Sequence, residues 1–136
     1  MMNNKMSHAD LVNQAKDLKL TDNNELVCEV IISYSTISKA TALAFGRTKG
    51  AGNDGFLGIY KNELVCFDSN IFGSKPHKER FRFPFETIDK VEIKKGFLGL
   101  NNQFIVRSGA HQFNLNFGGK HREYINQMHR KILQSK

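Results

Sequence analysis

Five histidines, two cysteines and a surplus of cations are the side chains of this chain that could do chemistry, and their spacing limits what each can do. His8, His77, His111, His121 and His129 make no ligand pair at metal spacing. His121 and His129 stand more than two helical turns apart. Cys28 and Cys66 sit in separate apolar runs, where inert core thiols of a reducing compartment are the expectation and a disulfide the lesser alternative. Arg47-Thr48-Lys49-Gly50 has phosphate-loop residue types without the G-x-x-x-x-G-K-[ST] order, and a strand pattern follows at Phe56 where that loop needs a helix. No nucleophile elbow marks a serine, and no carboxylate pair is signalled for hydrolysis. The chain therefore reads as a non-enzyme with no catalytic residues, no metal and no cofactor.

The cations remain. Net charge is +7, and residues 1–54 hold six basic and six acidic side chains, so the whole excess falls in residues 55–136. Such a surface favours phospholipid, nucleic acid or an acidic protein, or serves solubility alone. The candidate cluster is Lys39, Arg47, Lys49, Lys75, His77, Lys78 and His111, all in segments that read as loops. Phe83, Phe113 and Phe117 occupy the apolar side of alternating runs and are expected in a core, which argues against bases stacked on exposed rings. Phe72 and Phe97 lie in loops, as loop anchors if tucked in, or as a membrane wedge or partner contact if exposed.

The elements that must position these residues are mostly strands. Leu26, Cys28, Val30, Ile32 and Tyr34 alternate along the first. Phe56–Tyr60 and Leu64–Asp68 form a hairpin about Lys61-Asn62-Glu63, and Arg80–Pro84 follows the 70–78 loop. Ile88–Lys95, Gln103–Arg107 and Gln112–Phe117 bring the count to seven. Ala40, Ala42 and Ala44 alternate with larger residues, as a short extra strand or a helical turn, before a glycine-rich loop at 46–55. GFLGI at 55–59 and GFLGL at 96–100 read as places where glycine lets the chain turn. Ser7-His8-Ala9-Asp10 has capping-box form and opens a short helix to Leu18, packed outside the strands. From Lys120 the period becomes helical, with Tyr124, Ile125, Met128, Ile132 and Leu133 as the stripe. Seven strands without a helix over their middle must curl, and the last helix then plugs one mouth. No signal-peptide core and no membrane-length apolar run is present, so a cytoplasmic location is expected, with peripheral membrane contact as an option.

Gly55-Phe56-Leu57-Gly58-Ile59 with Leu64-Val65-Cys66-Phe67, the segment Phe83-Pro84-Phe85-Glu86-Thr87-Ile88-Asp89-Lys90-Val91-Glu92-Ile93, and Phe113–Phe117 running into the final helix together resemble the pleckstrin-homology-like family, in particular its bacterial PH-like and GRAM-like members. The resemblance implies a mainly β fold: a PH-like seven-stranded antiparallel barrel over residues 25–136 with a capping C-terminal α-helix, preceded by an extra N-terminal helical extension at 1–24. It also implies a ligand or partner at the open end. Antiparallel strands alternate ends, so the loops after the first and third strands share that end, and the resemblance adds the Ser108–His111 turn. Lys39…Arg47-Thr48-Lys49 matches the family's phosphoinositide pattern only loosely, with lysine at the final arginine position. The expectation is a binding or adaptor module that contacts a protein partner or an anionic membrane surface. Nucleic-acid binding and a homo-oligomeric scaffold stand as alternatives.

Overall fold

A computed structural model describes residues 7–36, 54–69, 75–96 and 102–135. Seven strands form one antiparallel sheet: β1 (Val27–Thr36), β2 (Asp54–Tyr60), β3 (Glu63–Ser69), β4 (Pro76–Pro84), β5 (Lys90–Lys94), β6 (Asn102–Ser108) and β7 (His111–Phe117). Helix α1 (His8–Asp17) precedes them and α2 (Arg122–Gln134) follows. The strand order is β4-β3-β2-β1-β7-β6-β5. The fold is thus mainly β with a helix at each end, consistent with a PH-like barrel.

The register explains how the sheet curls. β1 pairs with β2 through Val27 to Ile31 and with β7 through Ile31 to Thr36. Only Ile31 belongs to both ladders, so β1 is shared end to end between two half-sheets. Phe81 on β4 and Phe113 on β7 lie four inter-strand steps apart, about 19 Å in a flat sheet. Their rings meet at 4.4 Å between centroids. The two half-sheets therefore face one another across a core.

The sheet is not closed by hydrogen bonds. Among the described residues no ladder joins β4 to β5; Phe81 of β4 lies in the core, against which Val91 and Ile93 of β5 pack. Leu26 just before β1, Cys28, Val30 and Ile32 from β1, Leu57 and Ile59, Leu64 and Cys66, Phe104 and Val106, and Phe113, Leu115 and Phe117 fill the interior. Ile125, Met128 and Ile132 of α2 join that same cluster. They fall at helical spacing on one face, as the period from Lys120 required. Leu133 stays outside it, 49% exposed.

The outer face of β1, β2 and β3 is covered by α1. Ser7 caps that helix by accepting the Asp10 N–H at 3.1 Å. Leu11, Val12, Ala15 and Leu20 pack on Val27, Phe56, Val65 and Phe67 in a second cluster. Each aliphatic side chain so buried contributes about 1.5–3 kcal/mol before entropy. The link to β1 is fastened to β2 and its following turn: Asn24 donates to the Ile59 carbonyl and the Asp22 carboxylate accepts the Lys61 N–H, while within the link Thr21 donates to the Leu26 carbonyl. His8 and Tyr124 share a hydrogen bond of 2.9 Å that ties α1 to α2.

Several expectations shift. β4 starts at Pro76, so His77 and Lys78 belong to a strand and not to the preceding loop. Gly55 and Gly58 sit inside β2, not at a turn. Ile88, expected to open a strand, follows a single 3-10 turn at Phe85–Thr87, and β5 begins only at Lys90. The lesser alternative of a disulfide is also removed. Cys28 and Cys66 both flank Leu57 in the ladders, two strand spacings or about 10 Å apart, beyond the reach of an S–S bond. Both thiols are free and buried. The alternating alanines at 40–44 lie outside the described residues.

Candidate partner-binding rim

The seven candidate cations and histidines divide into two groups. Lys39, Arg47 and Lys49 lie outside the described residues, as do Phe72 and Phe97. Lys75, His77 and Lys78 stand together at the entry to β4, and all three are exposed. His111 opens β7 opposite Thr36 and is half-buried.

What joins the two ends is an irregularity in β4. Its register against β3 jumps between Cys66 and Phe67 and again between Asp68 and Ser69, leaving Arg80 and His77 as extra residues. A bulge re-aims the side chain it carries. Arg80 comes to lie over the Phe113 ring, 5.8 Å from its centroid, while it donates to the Asp68 carboxylate at 3.0 Å. Beneath it Phe81 stacks on Phe83 and meets Phe113 at a tilt of 35°. The mouth of the barrel is thus a three-ring floor with an ion pair laid across it. Arg80 retains only 21% and Asp68 37% of side-chain exposure. Because Phe113 is two residues from His111, the same contact brings the start of β7 to the start of β4.

The turn before His111 is held firmly. Asp89 accepts from Arg107 at 2.9 Å and from the Gly109 N–H at 3.3 Å. Gly109 takes φ +65, a left-handed conformation that glycine adopts without strain. The Arg107 hydrogen bond, helped by the Gly109 amide, keeps the Asp89 carboxyl below its ordinary range. Ser108 donates its hydroxyl to the Thr87 carbonyl at 3.0 Å.

Two acids near the entry to β4 are engaged. Asp68 is paired with Arg80, and Glu79 with Arg82. Among the described residues no cluster of three His, Cys, Asp or Glu side chains could hold a metal ion. No helix among them is long and apolar enough to cross a membrane. Arg80 was beyond the reach of sequence reading: strict alternation with Phe81 would turn it to solvent, and only the bulge brings it over the core.

The chain matches no family model, no curated protein and no solved structure.

Proposed function

We infer that this chain is a non-enzymatic PH-like binding module whose basic rim contacts an anionic partner, either a phospholipid surface or an acidic patch on a protein. One observation carries the reading: Lys75, His77 and Lys78, all exposed, lie close together at the entry to β4, beside the paired Arg80 and Asp68. The strand order, the curled half-sheets and the terminal helix in the core support the PH-like assignment. Function is argued from the rim, since a fold by itself assigns none.

Two alternatives fare worse. Bases stack on exposed rings, whereas Phe81, Phe113 and Phe117 are buried. Assembly by strand addition meets guarded edges: β5 carries Lys90 and Lys94, and β4 is bracketed by Pro76 and Pro84 with two register breaks. Co-sedimentation with vesicles of phosphatidylcholine, with and without phosphatidylserine, tests the inference. Binding to the anionic vesicles that fades with added salt is expected for a lipid partner. Equal binding to both vesicle types removes the lipid partner, and tight single-strand binding with a steep salt slope overturns the reading.

A further inference from the structure

β4 is an edge strand, and His77 sits in it where the ladder to β3 skips a residue. Lys78 faces Asp68 and Pro76 faces Ser69, so His77 between them has no residue opposite it on β3. Its side chain is exposed, and Lys75 and Lys78 beside it are exposed as well. The carboxylates of these strands nearest in register are already engaged. Asp68 on β3 accepts from Arg80 at 3.0 Å, and Glu79 on β4 itself accepts from Arg82 at 3.0 Å. β7 meets β4 through Phe113 and carries one titratable side chain, His111, whose charged form has the same sign. Residues 70–74, which lead into Lys75, are Asn-Ile-Phe-Gly-Ser and bring none. Among the described residues, a proton taken up by His77 is therefore met by cations and by acids that hold arginines.

We propose that His77 gates the basic rim by pH: its protonated ring adds a cation beside Lys75 and Lys78, so that the rim holds an anionic phospholipid surface more tightly in mild acid than at neutral pH. The proposal rests on the rim reading above and adds its regulation. Histidine is the side chain whose charge changes between about pH 8 and 5. In the free protein the new charge is opposed by the two lysines. Against headgroup phosphates it is favoured. Linkage makes the effect reciprocal: the surface draws a proton onto His77, and the proton tightens the hold on the surface. The gain is present at low pH and is lost as pH rises, because only the protonated ring attracts the anion. A bilayer suits this ring, since no cross-strand neighbour orients it and mobile headgroups can come to it.

The test is sedimentation of the full chain with vesicles of phosphatidylcholine and phosphatidylglycerol at about pH 7.5 and about pH 5.5. The phosphodiester of phosphatidylglycerol stays charged over that interval. His77→Gln is neutral at both values and His77→Lys is charged at both. The position is exposed, so both variants should keep the wild-type unfolding midpoint. The other four histidines supply a background response that all three chains share. Above it, the wild-type chain should gain about fivefold more affinity on acidification than His77→Gln, the worth of one cation at an anionic surface. His77→Lys should bind about fivefold more tightly than wild type at the higher pH and match it at the lower. Binding at both pH values with the same gain in wild type and His77→Gln overturns the gate and leaves the rim standing. No binding to these vesicles at either pH overturns the lipid-binding rim and the gate together.

Discussion

Replacing Gly58 by alanine probes whether α1 and its linker are part of the domain or a loose extension. A Cβ at Gly58 would lie 2.4 Å from the Leu20 carbonyl oxygen and 3.1 Å from that of Leu26. Both obstacles are backbone, so neither can swing aside as a side chain does. The Leu20 N–H is bound to the Ala15 carbonyl at 2.8 Å, and the Leu26 carbonyl accepts from Ile59 at 3.2 Å. The linker must then retreat by about 1 Å, an overpacking strain of about 1–3 kcal/mol. Relief of glycine's entropy in a strand returns only about 0.5–1 kcal/mol. A net loss of about 1–2 kcal/mol lowers Tm by about 4–8 °C in a domain of this size. Gly118→Ala is the control, since a Cβ there meets nothing within 4 Å. Thermal unfolding followed by circular dichroism should show the drop for Gly58→Ala alone, with faster amide exchange in α1. A Tm equal to that of Gly118→Ala would refute the close docking of the linker on β2.

Three further outcomes follow from the same geometry. Burial pushes the Cys28 and Cys66 thiols far above their ordinary pKa, Cys28 further through Glu29 and Cys66 further through Asp68. Native protein at neutral pH should leave a thiol reagent unconsumed until denaturant unfolds it, and prompt labelling would contradict the packing. Asp89 titrates below its unfolded value, so its stabilisation is fully present above about pH 4 and lost as pH falls through the lower folded pKa. Asp89→Asn should flatten the acid limb of the urea midpoint below about pH 4, and an unchanged limb would exclude the contact. Arg80→Ala, which strips the lid from Phe113 and leaves Asp68 unpaired, should cost about 1–2 kcal/mol in urea unfolding. Adding Asp68→Ala should cost less than the sum of the two single variants, and strict additivity would mean that the pair is not coupled.

Legibility in the sequence followed the periodicity of each segment. Gln112 to Phe117 alternates cleanly, and Phe113, Leu115 and Phe117 are all buried as their spacing requires. Ile125, Met128 and Ile132 announced α2 in the same way. β4 was harder to bound, because its first residues break alternation: two extra residues, His77 and Arg80, are absorbed as bulges that no residue type signals. The glycines of β2 were misread for a related reason. Glycine marks turns and close backbone approaches alike, and only the tertiary path of Leu20 over Gly58 distinguishes them. At the rim, exposure of Lys75, His77 and Lys78 could be expected from their polarity. Meeting with β7 through Arg80 and Phe113 could not, since that contact depends on how far the sheet curls.

The central claim is that cations at the entry to β4 hold an anionic partner, and neutralising two of them tests it most directly. Each lysine near an anionic membrane contributes about 1 kcal/mol. Lys75→Gln with Lys78→Gln should therefore weaken binding to phosphatidylserine-containing vesicles about 30-fold at moderate salt. Both residues are exposed, so the unfolding midpoint should stay where it was. Wild-type and doubly neutralised chains that partition onto those vesicles equally well would contradict the account.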